Sequence, residues 1–325
     1  MRAIRYDEFG DPAQVLGMAD TDRPEPGPGQ VLLRVIMSPI HNHDLWTIKG
    51  QYGVRPDLPA TGGSEAVGIV VAVGRDVDPE LTGKRVAAAG LAGSWAEYAL
   101  AKAAAVIPIP KEMPDEAAAQ LIAMPFSAIT LLEFLNVEAG DRVVQTAANG
   151  AVGKIMTVLA EQRGIRLLNL VRRKGAAEEL ARMGITDIVS TDDDDWIDQA
   201  RRIIGQDGAR AAIDSVGGDV VPGLVDLLGQ DGLLVTFGSA DGGTLPMPGS
   251  QLIFKQLTVK GFWGAKVMEA TKPQDAQRMF GELIGLVMDG KLKLPSGGDF
   301  GLDQATEAVN AATTPGRDGK IMFKP

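Results

Sequence analysis

The chain has 325 residues, a formal net charge of −10, 45% apolar residues and no cysteine. That length supports two domains with separate cores, and the acidic balance argues against an extended nucleic-acid footprint. Without cysteine there is no disulfide, no thiolate catalysis and no zinc held by sulfur, which fits a reducing compartment.

Residues 1 to about 110 read as β-rich, with short apolar runs such as "VLLRVIMSPI", "AVGIVVAVG", "KRVAAAG" and "WAEYALA" cut by Gly, Pro and Asp. Met1 to Gly10 reads as a strand that begins at once. It lacks an apolar signal core, and no later run is long enough to span a bilayer, so the expectation is a cytoplasmic protein with no membrane partner. At "MPDEAAAQLIAMPFSAITLLEFLNV" helical spacing takes over, with Asp115 as the expected N-cap and Pro125 dividing two helices or kinking one.

From Arg142 strands and helices alternate: "DRVVQTAA", "GAVGKIMTVLAEQRG", "RLLNLVRR", "GAAEELARMG", "DIVST", a helix from Trp196 to Ile204, "AAIDSVG", "VVPGLVDLLG" and "GLLVTFGS". Alternation at these lengths implies a parallel sheet with helices on both faces. The strand "LTVKGF", an amphipathic helix near Gln274 to Gly290 and two β-like pieces, "KLKLP" and "GKIMF", complete the chain. The tail resembles the first region. The expectation is therefore α/β: a doubly wound Rossmann domain over 116–261, inserted in a β-rich catalytic domain built from 1–115 and 262–325. Asp192 to Asp195 read as a solvated loop that caps the next helix.

After the strand "RVVQTAA", Ala148, Gly150 and Gly153 occupy the three positions of G-x-G-x-x-G. Small residues belong there because a pyrophosphate must approach the backbone and the new helix must pack close to its strand. The second strand ends in Arg172, Arg173 and Lys174. An NAD site usually places an acid there for the ribose 2′-OH, whereas a guanidinium suits a 2′-phosphate. The reading is NADPH.

The chain resembles a medium-chain dehydrogenase/reductase over essentially its whole length. "GGSEAVGIVVAVG", "AIDSVGG" and the order of elements carry the likeness. It implies a split GroES-like catalytic domain around a Rossmann domain, with the cofactor in the cleft. Zinc-dependent members carry a Cys three residues before an Asp like Asp44, a His just before a Glu like Glu65, and a second Cys. Here His41 and Ser64 hold the first two positions and no cysteine exists for the third. One candidate ligand remains where three are needed, and His41 and His43 stand at strand-like i, i+2 spacing with no nearby carboxylate, so no metal is expected. The histidines are expected to shape the substrate cleft or to hydrogen-bond the backbone.

Among zinc-free branches the likeness leans to the mitochondrial-type 2-enoyl thioester reductases, then to the quinone oxidoreductases. "IKGQYGVRPDLPATGGSE" resembles the segment bearing the catalytic tyrosine, which falls on Tyr52, and "LIFKQLTVKGFWG" resembles the strand ending beside the nicotinamide at Phe262 and Trp263. The implied cofactor contacts are Asn149, Gly150, Ala151 and Val152; Arg172, Arg173 and Lys174; Phe237, Gly238, Ser239 and Ala240; and Lys320. Three departures are Met124 where the family has Asn, His43 where it has a short polar residue, and Gly264 where it has a larger apolar one.

The implied reaction is NADPH-dependent reduction of an activated carbon–carbon double bond. Hydride goes to C3, and Tyr52 hydrogen-bonds the enolate and supplies the C2 proton. Trp263 packs against the cofactor or the substrate. Alternatives are an NADPH:quinone oxidoreductase and an NADPH-binding sensor with little turnover. The expected partner is a small molecule (enoyl thioester, enone or quinone), with no nucleic acid. The family implies a homodimer through Rossmann edge strands near Gly243 to Phe254.

Overall fold

A computed structural model describes residues 1–239 and 244–325. Ala240, an expected cofactor contact, and Gly243, which opens the expected dimer segment, lie outside the described residues. One compact unit comprises Met1–Ala123 with Glu282–Pro325, and the other Met124–Gly281. The joins expected at 115/116 and 261/262 come earlier in the chain than both of these. The helices Ala123–Phe134 and Pro273–Met288 explain the placement. Phe126 stacks on Phe280 at 4.7 Å between centroids, and Arg278 pairs with Glu133 at 2.9 Å. These contacts lie between the parts of the two helices that fall within Met124–Gly281, which is why those stretches go with the parallel sheet.

The inserted unit carries a six-stranded parallel sheet ordered Ile188–Ser190, Arg166–Val171, Arg142–Gln145, Ala209–Asp214, Leu228–Thr236, Thr258–Gly261. In chain order this is 3-2-1-4-5-6, the doubly wound arrangement in which the direction of winding reverses beside the first strand. Val144, Leu168, Leu170, Ala212 and Leu234 are buried with helix residues Leu224 and Val225. Strands apolar on both faces need such cover, and each buried Leu or Val contributes roughly 1.5–3 kcal/mol.

The terminal unit is largely antiparallel. Its main sheet runs Ser296–Phe300, Lys320–Phe323, Gln30–Pro39, Glu65–Val73, Arg85–Ala89, Ile107–Pro108, with Tyr98–Lys102 also on Gln30–Pro39. The end of the chain thus joins the beginning: Met322 lies opposite Pro39 and Phe323 opposite Ser38. Trp95, fully buried, anchors the core beside Phe323 at 5.1 Å, and its indole N–H donates to the Pro39 carbonyl at 3.1 Å.

Several local expectations are corrected. Asp115 is the first helical residue and Pro114 the N-cap, because proline's fixed φ suits helix entry. "KLKLP" is not a strand: the Leu294 and Pro295 carbonyls accept from the Gln120 side chain at 2.8 and 3.1 Å, and the strand forms instead at Ser296–Phe300. A helix over Gly264–Ala270 was not foreseen between "LTVKGF" and the long helix. His41 and His43 do not lie along a strand. His41 is the N-cap of the helix Asn42–Ile48, and the Asp44 carboxylate accepts the His41 backbone N–H at 2.9 Å, closing the first turn. Among the described residues no helix is long and apolar enough to cross a membrane.

Candidate active site

In the terminal unit the site grows from a glycine pair. A Cβ on Gly62 would sit 2.2 Å from the Trp95 ring, and one on Gly63, at φ +88°, 2.4 Å from it. No other residue lets the backbone lie so flat on the indole. That contact delivers Ser64 and Glu65 to the start of a strand paired with Gln30–Pro39, the strand that leads into the two histidines.

The expectation that the histidines lack carboxylate partners is corrected by this pairing. His41 Nε2 lies 2.7 Å from Glu65 Oε2, both side chains fully buried. Glu65 Oε1 accepts the backbone N–H groups of Ile122 and Ala123 at 2.6 and 3.1 Å. Burial pushes Glu65 up to about 8 and holds His41 well below its ordinary 6.5. Both shifts favour the neutral forms, and between neutral groups the bond has Glu65 as donor and His41 Nε2 as acceptor. His41 Nδ1 is buried without a hydrogen-bond partner.

His43 Nε2 lies 2.8 Å from Ser64 Oγ, and Ser64 donates to the buried Asp44 carboxylate at 2.6 Å. Tyr52, half-buried on the loop after the helix, sets its ring 5.8 Å from that of His43. Lys320 is 7% exposed on the last strand and is lowered to about 8, by burial first and by Arg317 second, with Asp44 and Glu65 opposing. The fold thus gathers Tyr52, Lys320 and the histidines with Asp44, Ser64 and Glu65. Sequence reasoning used those last three only as landmarks.

In the inserted unit, Gly150 is the N-cap of the helix Ala151–Gln162, so Asn149, Gly150, Ala151 and Val152 form its entry. A Cβ on Gly153 would meet the Ala148 carbonyl at 2.6 Å, so this glycine sets the close approach of helix and strand. A side chain there would overpack at a cost of about 1–3 kcal/mol. Arg172 and Arg173 are exposed at the end of Arg166–Val171, while Lys174 is engaged by Asp193 at 2.8 Å. Asp195 occupies the N-cap position of Trp196–Ile204, but its side chain makes no capping bond to the backbone and instead accepts from the Gln199 amide at 2.7 Å.

Phe237 and Gly238 follow the strand Leu228–Thr236, and a Cβ on Gly238 would meet the Ser215 carbonyl at 2.8 Å; Ser239 is exposed. Phe262 is buried between Phe134 at 5.3 Å and Phe237 at 5.8 Å, whereas Trp263 is 40% exposed. Phe262 therefore packs the core, and Trp263 is the aromatic turned outward. Gly264 departs from the family for a local reason: its Cβ would meet Ser127 Oγ at 2.9 Å.

A glycine loop at the head of a 3-2-1-4-5-6 sheet, carried in one chain with a GroES-like β-unit, is the plan of a dinucleotide-dependent oxidoreductase. Residues 27–111 match the model for the alcohol dehydrogenase GroES-like domain and residues 151–281 that for zinc-binding dehydrogenase. A mitochondrial enoyl-[acyl-carrier-protein] reductase of Mus musculus is 32% identical over 97% of this chain and 86% of its own. A mycobacterial quinone oxidoreductase superposes with a TM-score of 0.89 at 26% identity, and a mycobacterial protein complexed with NADPH with 0.88 at 27%, each over the full length of both chains. The chain belongs to the medium-chain dehydrogenase/reductase family.

The zinc in one model's description does not fit these residues. Glu65, Ser64 and His41 Nε2 are committed to hydrogen bonds, no thiolate exists, and among the described residues no group of three or more His, Asp or Glu side chains is placed to hold a metal.

Proposed function

We propose that the chain reduces an activated carbon–carbon double bond, as in a 2-enoyl thioester, with NADPH as reductant and Tyr52 as the acid. The observation that carries this reading is a phenol, Tyr52, beside a hydrogen-bonded His43–Ser64–Asp44 chain, in a cluster whose carboxylates are committed to hydrogen bonds rather than to a metal. The likeness to enoyl-[acyl-carrier-protein] reductases supports it.

Bound NADPH supplies a hydride. Asn149 to Val152 take the pyrophosphate at the helix entry, where the Gly150 N–H is held by the Ala147 carbonyl at 2.8 Å and the N–H groups of the first turn meet the negative charge. Arg172 and Arg173 hold the 2′-phosphate. Phe237, Gly238, Ser239 and Trp263 bound the nicotinamide, Phe262 backs Trp263, and Lys320 is a further cofactor contact. Tyr52 hydrogen-bonds the thioester oxygen as charge develops and protonates C2.

A second reading, NADPH:quinone reduction, is supported by the fold shared with a quinone oxidoreductase. Following NADPH absorbance with crotonyl thioester, a quinone and a 2-alkenal separates the readings. Thioester turnover supports the first and quinone turnover alone the second; none at all means a binding protein.

Arg172→Ala is expected to weaken NADPH binding by about 10–100-fold, the worth of charge-assisted hydrogen bonds, and to leave NADH binding unchanged. Fluorescence titration with both cofactors checks this, and equal losses would remove Arg172 from the phosphate site. The reading includes a homodimer through the segment where Ile253 and Phe254 are 63% and 77% exposed. Sedimentation equilibrium giving a monomer would remove that element.

A further inference from the structure

His43 is a polar, partly solvent-exposed side chain of this cluster to which the proposed reaction gives no role. A serine hydroxyl has one proton, and that of Ser64 is donated to Asp44 Oδ1 at 2.6 Å. Toward His43, 2.8 Å away, Ser64 is then an acceptor, so Nε2 of His43 must carry a hydrogen. Asp44 is itself pinned: it is 4% exposed, and its Oδ2 accepts the His41 N–H at 2.9 Å. The chain Asp44–Ser64–His43 thereby fixes the tautomer and the ring orientation of His43, as a second hydrogen-bond shell does for a working imidazole. Nδ1 is the nitrogen left to gain and lose a proton.

The surroundings suit that exchange. The His43 side chain is 24% exposed, which admits solvent. It stacks on buried His41 at 5.0 Å and faces the Tyr52 ring at 5.8 Å. The titratable and charged groups around it are His41 and Asp44 in its own segment, Tyr52 on the following loop and Glu65 beside Ser64; Tyr6 on the first strand acts on Asp44, and Lys320 on the last strand, itself beside Arg317, acts on His41. Of these, Glu65 and His41 are bound to each other, and Asp44 is held by Ser64.

The geometry points to His43 as a relay residue that returns a proton to Tyr52 after each turnover, acting through Tyr52 rather than on the substrate. The assignment rests on the reading of Tyr52 as the acid. Hydride addition at C3 leaves an enolate. The Tyr52 O–H bond breaks, the enolate electron pair forms the new C2–H bond, the thioester carbonyl is restored, and Tyr52 becomes a phenolate. The Nδ1–H bond of protonated His43 then breaks, and its proton rebuilds the phenol directly or through one water. Neutral His43, its Nε2–H still on Ser64, takes the next proton from solvent, and no oxidant or reductant beyond NADPH enters.

The test uses the full chain with NADPH and crotonyl thioester. His43→Ala is expected to lower turnover about 10–100-fold, to keep NADPH affinity within about twofold, and to recover with added imidazole, more at lower pH where imidazolium is plentiful. His43→Gln retains a donor for Ser64 yet moves no proton. It should fold like the wild type and be as slow as the alanine variant, so it decides the matter even if His43→Ala fails to fold. Full turnover in His43→Gln, or a slow His43→Ala that imidazole does not restore, overturns the relay alone. A wild type inert toward the thioester overturns the reading of the reaction, and the relay with it.

Discussion

Glu65→Ala is expected to destabilise the protein by about 3–5 kcal/mol, while Glu65→Gln changes stability by roughly 1 kcal/mol at most. The carboxyl group meets three partners from full burial: the Ile122 and Ala123 N–H groups and His41 Nε2. Alanine leaves all three without a partner, where water does not reach. Glutamine copies the protonated acid, with its carbonyl accepting the two N–H groups and its amide donating to His41. Urea unfolding of the two variants at one pH measures the gap, and an alanine variant as stable as the glutamine one would refute the account.

The same group sets a pH signature. Glu65, raised from 4.5 to about 8, keeps in the folded state a proton the unfolded chain has released, so its contribution is lost as pH rises toward 8. His41 works in the opposite sense: below its ordinary 6.5 the unfolded imidazole takes a proton that the buried one refuses, so stability falls with acid. Lys320, lowered from 10.5 to about 8, adds stability only as pH climbs above 8. Between 6.5 and about 8 Glu65 acts without either opponent. Wild-type urea midpoints should decline across that window, and Glu65→Gln should abolish the decline. An unchanged slope in the variant would assign it to another group.

Why Glu65 escaped sequence reasoning is instructive. The doubly wound unit was legible because strand and helix periods repeat there, and because Gly150 and Gly153 answer a steric need that any reader of the motif can state. The cluster in the terminal unit has no such period. His41 and Glu65 stand 24 positions apart, and they meet because the strand that opens at Glu65 pairs with Gln30–Pro39, the strand that leads into His41. A fully buried glutamate also runs against the ordinary preference of charge for solvent. The available cue was the pair Gly62–Gly63, which announces a backbone pressed against something flat, without saying that it is Trp95. "KLKLP" failed for a related reason: its alternation suits a strand, but the Leu294 carbonyl is taken by a side chain from a distant segment, Gln120, and backbone pairing with the last strand begins only at Pro295, whose carbonyl accepts the Lys320 N–H at 3.2 Å. Tyr52 and Lys320 were named through family resemblance, and the fold puts both near the histidines, which composition and spacing alone could not do.

Tyr52→Phe is expected to lower turnover of an enoyl thioester by at least about 100-fold, the usual share of a positioned general acid, with NADPH affinity unchanged. The substitution removes one oxygen. The ring, and its packing beside the His43 ring at 5.8 Å, stays. A loss in turnover without a loss in cofactor binding therefore isolates the hydroxyl, and an undiminished rate would remove Tyr52 from the reaction. The double variant with His43→Gln carries the argument further. Two residues acting independently on the substrate would multiply their losses, whereas a relay that works only through the phenol has nothing to serve once the phenol is gone. The double variant should then be scarcely slower than Tyr52→Phe alone, and any residual rate should no longer respond to added imidazole.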